Sequence, residues 1–175
     1  MTRSQRYKVV FILMFMVLPA ANGHDGTVNI SGTIQDNTCE ISPDSQSKIV
    51  TLGTVVATQF TFAGERAPAV PFSIHLQNCG PAASEAQVTF SGTPDAQNKD
   101  LFTLESGTDS ASGVAVGIYD TDGKRLSPGT ASAGVVIKPG QASVELAFTA
   151  RYVSVDDTVK AGIANATVLY EMLYN

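Results

Sequence analysis

Gly162-Ile163-Ala164-Asn165-Ala166-Thr167-Val168-Leu169-Tyr170-Glu171-Met172-Leu173-Tyr174-Asn175 carries two parities, and one of them decides the fold. Gly162, Ala164, Ala166, Val168, Tyr170, Met172 and Tyr174 are all apolar, aromatic or Gly, and they grow in size along the segment. Successive side chains of a strand point to opposite faces, so this pattern predicts a strand with one buried face. The segment reads as a final strand that ends the chain. Each edge of a strand is either paired or open. The first functional question is therefore what lies beside it.

Working back along the chain, strand patterns recur between turn residues and helical periodicity is weak. Val70, Phe72, Ile74 and Leu76 share one parity. Val88 and Phe90 run into the turn Ser91-Gly92-Thr93-Pro94-Asp95, and Leu101 to Leu104 is a short apolar piece. Val114, Val116 and Ile118 alternate before Asp120-Thr121-Asp122-Gly123, and Val135 to Ile137 precedes Pro139-Gly140. Val144, Leu146, Phe148, Ala150 and Tyr152 form a long alternating strand, followed by a polar connection over Asp156 to Lys160. Short strands with Gly and Pro punctuation predict an all-β sandwich or barrel in one domain.

The first 23 residues read as a secretory signal peptide. Arg3, Arg6 and Lys8 form a positive start, Val9 to Leu18 is an unbroken apolar run, and Ala21-Asn22-Gly23 is a small-x-small cleavage signal. The run is too short to span a bilayer, which expects no membrane span in the mature chain. Cleavage after Gly23 leaves 152 of the 175 residues. Three of eleven basic residues precede that point and none of the sixteen acidic ones do, so eight basic against sixteen acidic remain, a net charge of −8. An acidic chain without Trp argues against nucleic acid and against an anionic membrane surface.

Cys39 and Cys79 remain after cleavage. An even count in an exported chain predicts one disulfide, with two free thiols as the alternative. A metal site is not expected, because Cys39, Cys79, His24 and His75 show no short paired spacing. No cofactor is expected. There is no Gly-x-Ser-x-Gly elbow and no phosphate loop, and Gly107 to Gly113 lacks the required spacing. His75 falls on the polar parity of its strand, Asp156-Asp157 reads as a solvated loop, and Asn29-Ile30-Ser31 and Asn165-Ala166-Thr167 read as chance matches to a glycosylation pattern. An enzyme is not the expectation.

Thr27 to Ile34 alternates cleanly, with Val28, Ile30, Gly32 and Ile34 on one parity. From the residues alone it is either the first strand of the same sandwich or a strand that pairs with another molecule. Gly32 tilts toward the second, since Gly in a strand often marks a close approach of another backbone.

Taken in order, the leader, the alternating segment before Cys39, the Cys39–Cys79 pair, Val88-Thr89-Phe90-Ser91-Gly92, and the apolar alternation from Gly162 to the penultimate Tyr174 resemble pilin subunits of chaperone–usher fimbriae. Similarity is greatest to FimF-like minor or adaptor subunits of type 1 fimbriae. The resemblance implies an immunoglobulin-like β-sandwich that lacks its last strand. It implies residues 24–37 as a donor-strand extension, with Val28, Ile30, Gly32 and Ile34 entering a neighbour, and residues 38–175 as the pilin domain. Gly162, Ala164, Ala166, Val168, Tyr170, Met172 and Tyr174 would line the acceptor groove. The implied partners are a periplasmic chaperone, an outer-membrane usher and neighbouring pilins, a tip adhesin among them. The implied route runs through the periplasm to the cell surface. The alternative function is a single-domain fimbrial adhesin that binds a host-surface glycan. A secreted enzyme lacks a catalytic set here, and an assembly chaperone would need two domains.

Overall fold

A computed structural model describes residues 30–34 and 36–175. The expected signal peptide and Val28 lie outside the described residues. The chain divides into two compact units, residues 1–33 and residues 34–175. In the first, Ile30 to Thr33 carry no regular secondary structure.

The second unit is built from seven antiparallel strands with little helix. These are β1 (Glu40–Ile41), β2 (Val70–Gln77), β3 (Glu85–Ser91), β4 (Val114–Tyr119), β5 (Val135–Val136), β6 (Ser143–Ser154) and β7 (Leu169–Tyr174). They form a four-stranded sheet ordered β1-β2-β6-β4 and a three-stranded sheet ordered β5-β3-β7. The expected all-β sandwich is the fold.

Alternation places the core. In β6, Val144, Leu146, Phe148 and Ala150 are buried while Glu145 and Ala147 face out. Val144, Leu146 and Phe148 meet Ile74 and Leu76 of β2, Val116 and Ile118 of β4, and Val88 and Phe90 of β3 in one cluster. At its centre the rings of Phe72, Phe90 and Phe148 lie 5.1 to 6.1 Å apart, two of the three pairs edge to face. Aromatic contacts of this kind add to the burial itself.

Two expectations are corrected, for the last strand and for β4, and the short apolar piece at Leu101 to Leu104 gains a place. The last strand is shorter than 162–175: only Leu169–Tyr174 pairs with β3. The reason is the partner, because β3 ends at Ser91 opposite Leu169. Leu101 to Leu104 is not a strand, although Phe102 exchanges backbone bonds of 2.8 and 2.9 Å with Val116 and so caps the free edge of β4. In β4 both parities are buried, because Ala115, Gly117 and Tyr119 on its outer face are covered as well.

Cys39 and Cys79 form a disulfide with S–S 2.05 Å, tying the start of the sandwich to the end of β2. Closing a loop of this length contributes about 4 kcal/mol in the chain-entropy account. The other tie is a short helix, α1 (Pro43–Gln46), with Pro at its first position. Ser42 and Ser45 dock it on β2. The Ser42 backbone N–H donates to the His75 carbonyl at 3.0 Å, and the His75 N–H donates to the Ser45 hydroxyl oxygen at 2.9 Å. His75 is thus on the outer parity as expected. Its Nδ1 lies 2.9 Å from an Asp44 carboxylate oxygen and its Nε2 3.8 Å from Glu145.

The Ser42 hydroxyl first, and His75 second, hold the Asp44 carboxyl down to about 2 from its ordinary 3.8. A carboxylate stabilised in the fold contributes stability above its ordinary value, and that contribution is lost as pH falls through the folded value. Wild type should therefore have a higher urea midpoint than Asp44→Asn at pH 5, and the gap should close by about pH 2. A gap that persists unchanged at low pH contradicts the Asp44 account. In the core, Phe148→Ala should cost about 3–5 kcal/mol in urea unfolding at neutral pH. A loss under about 1 kcal/mol would show that the ring cluster does not hold the sheets together.

Candidate functional site

Among the described residues β7 has one strand neighbour. In the three-stranded sheet it follows β3 and no described strand follows it. Which of its backbone groups are paired follows from register. Asn175 and Glu85 exchange both backbone bonds, at 3.2 and 3.1 Å. In an antiparallel ladder such pairs alternate with pairs that exchange none. The ladder bonds to β3 therefore come from Leu169, Glu171 and Leu173, opposite Ser91, Thr89 and Gln87. The backbone groups of Tyr170, Met172 and Tyr174 point to the other edge. Val88 agrees: it lies opposite Met172, and its carbonyl turns away to accept from the Ser132 N–H at 2.8 Å.

The same alternate residues have half-buried side chains. Ala166, Val168, Tyr170, Met172 and Tyr174 pack against the core yet remain partly exposed, while Ile74 and Leu76 of β2, Val88 and Phe90 of β3, and Val144, Leu146 and Phe148 of β6 are buried. Cys39, Ile41 and Leu52 pack against the same core and are also only partly buried. The core is thus half covered along a line between β7 and residues 39–52.

Two phenols cross this line. The Tyr170 hydroxyl donates to the Ser45 carbonyl at 2.7 Å, and the Tyr174 hydroxyl donates to the Cys39 carbonyl at 3.1 Å. Burial pushes both phenols up from their ordinary value, with the Asp44 charge adding to the rise at Tyr170. Both remain protonated donors at neutral pH. They tie the edge of one sheet to the edge of the other from inside.

Residues 162–164 are placed differently. Gly162 is exposed and pressed against a loop: a Cβ there would lie 2.5 Å from the Asp109 carbonyl oxygen and the Ala111 nitrogen. Ile163 bonds that loop on both sides, at 2.7 and 2.9 Å. Ala164 offers its carbonyl to the Tyr152 hydroxyl at 2.7 Å. Beside it opens a cavity of about 350 Å³ lined by Val55, Phe60, Val114, Tyr152, Gly162 and Ala164 among others. The open edge thus ends in a recess with a mixed polar and apolar lining.

The residues expected to form a groove fall into two parts. Ala166 to Tyr174 run along the open edge, and Gly162 and Ala164 border the recess. The crossing tyrosines were not foreseen, nor was the opposing rim at Cys39, Ile41 and Leu52. Of the expected donor residues, Ile30 and Ile34 are both exposed. Among the described residues no group of three His, Cys, Asp or Glu side chains is placed to hold a metal ion, and no helix is long and apolar enough to cross a membrane.

Residues 28–175 match the family described as fimbrial protein. The chain is 39% identical over 173 residues to the probable major fimbrial subunit LpfA of Escherichia coli O157:H7, covering 95% of this chain and 96% of that one. It is 36% identical over 165 residues to the fimbrial-like protein FimF of Salmonella typhimurium, covering 93% of each. Among solved structures, an antigen and type I fimbria protein of Burkholderia pseudomallei matches at 33% identity with a TM-score of 0.61, covering 79% of this chain and 90% of that one. The P pilus rod subunit PapA matches at 19% identity with a TM-score of 0.65, over 78% of this chain and 99% of that one, and shows the shared fold. With a match spanning nearly the whole chain and an open strand edge on the same β-sandwich, this chain belongs to the fimbrial protein family.

Proposed function

We propose that the chain is a structural subunit of a chaperone–usher fimbria, with an adaptor or minor role, that polymerises by donor-strand exchange. One observation carries this reading. The residues of β7 whose backbone groups have no ladder partner are the residues whose side chains are half buried. One added strand would satisfy both deficits, with its backbone pairing β7 and its alternate side chains covering the core.

A strand of the periplasmic chaperone fills this place first. At the outer-membrane usher the N-terminal extension of another subunit replaces it. Residues 24–37 of this chain serve the next subunit in the same way, with Val28, Ile30 and Ile34 as the entering side chains and Gly32 over a shallow point. Burial of three branched side chains contributes about 5–9 kcal/mol before ordering costs. Because donor and acceptor are different surfaces, the contact is head-to-tail and extends into a fibre rather than closing. The relatives' names as subunits favour this role over a glycan-binding adhesin. Residues 1–23 act as the export signal, and the fimbrium at the cell surface is the destination.

An unfilled edge beside a half-covered core is an association hazard. The mature protein should therefore be recovered mainly with its chaperone, and a soluble chaperone-free monomer in good yield would count against the reading. A peptide copying residues 24–37 should displace the chaperone from a compatible pilin, followed as loss of the complex in native electrophoresis. Failure with every pilin of the system would remove the donor role. Tyr170→Asp places a charge on the half-covered core and should abolish chaperone-bound recovery. Wild-type yield of that variant would show that β7 is not the acceptor.

A further inference from the structure

Downstream of residue 23 the sequence holds three arginines, Arg66, Arg125 and Arg151, and five lysines. All three arginines converge on one side chain. Their guanidinium carbons lie 5.7, 5.8 and 4.8 Å from the ring centroid of Tyr119. Tyr119 sits on the outer face of β4 at 2% exposure. Gly117 makes room for it, since a Cβ there would meet the ring and hydroxyl at 2.8 and 2.9 Å. Arg151 stands opposite Gly117 on β6, and Arg66 is bridged to Val153 on the same strand.

The cluster is short of acceptors. Among the described residues, the buried side-chain polar atoms without a hydrogen-bond partner are the Tyr119 hydroxyl, Arg125 Nε and Arg151 Nε. The nearest acid is Asp100, 3.8 Å from Arg125 and itself well exposed. Arg66 and Arg151 make no ion pair among the described residues. A ring attracts a guanidinium at its face, but gathering three like charges around one ring adds mutual repulsion that the ring does not cancel. The deficit is one of negative charge and of acceptor oxygens.

We propose that Arg66, Arg125 and Arg151 around Tyr119 form a docking site for a carboxylate side chain of a second copy of this chain. Guanidinium forks match the planar carboxylate in charge and in geometry. The second copy is the occupant because its surface is rich in the complementary group: sixteen acidic residues stand against eight basic ones after residue 23, and three of those eight are gathered here. The site is on the outer face of the four-stranded sheet, away from β7. It gives copies of an acidic protein an attractive lateral contact where net charge alone would keep them apart.

The contact does not depend on the donor-strand reading. It is tested on the mature chain in whichever form is recovered at high salt, alone or chaperone-bound, so the failure of one reading does not decide the other. Sedimentation velocity at about 20 mM salt should show concentration-dependent association that is lost at about 300 mM. Arg66→Glu, at an exposed position, should weaken that association about tenfold or more without loss of the folded circular dichroism signal. Arg151→Gln should weaken it in the same direction. A wild type that remains unassociated at low salt overturns the proposal, as does association unchanged by Arg66→Glu. Titration with a sialylated oligosaccharide supplies the third arm: saturable binding lost in Arg66→Glu, without self-association, would assign the site to an acidic glycan and overturn the second copy as occupant.

Discussion

The open edge of β7 is the constraint on which the rest of the structure depends. A strand interior to a sheet has two ladders, and among the described residues β7 has one. Its unpaired backbone groups belong to Tyr170, Met172 and Tyr174, which are also the residues that floor the half-covered core. The two deficits coincide for a geometric reason. In a strand, residues of one parity share both a side-chain face and a hydrogen-bonding edge. Removing one neighbour therefore uncovers backbone and side chains of the same residues. What would complete the sandwich must be a strand, with alternating apolar side chains.

Everything else along this line holds the gap in shape. The Cys39–Cys79 disulfide and the α1 turn fix the far rim against β2. Tyr170 and Tyr174 bind that rim to β7 through their hydroxyls. Such bonds are each worth about 1 kcal/mol net. They matter here more for position than for strength, because they set the distance between the two edges that an added strand would enter. Gly162 closes the other end by letting the chain pass tight against the loop at 109–111.

Much of this was legible in the sequence. The alternation over Ala164 to Tyr174 marks one face of a strand, and the structure gives every second residue there the more buried environment. The strands at Val70, Val88, Val114, Val135 and Val144 all stand where the pattern places them. What was not legible depends on long-range placement. The length of β7 is set by where β3 ends, not by its own residues. Phe102 becomes an edge cap only because β4 runs past it. The burial of Ala115, Gly117 and Tyr119 follows from Leu101, Val153 and the arginines folding over β4, which no local period records. The tyrosine cross-links are equally invisible, since a Tyr at an apolar position reads as core until the partner of its hydroxyl is known.

The central claim is that the edge of β7 carrying Tyr170, Met172 and Tyr174 is empty until another strand arrives. Residue-resolved amide hydrogen exchange tests it most directly, comparing the chaperone-free chain with the same chain after addition of a donor peptide from its fimbria. The account predicts that the amides of Leu169, Glu171 and Leu173 are protected in both states. Those of Tyr170, Met172 and Tyr174 should exchange freely at first and become protected only when the peptide binds. Equal protection of both sets before any partner is added, or no protection of the second set afterwards, would contradict it.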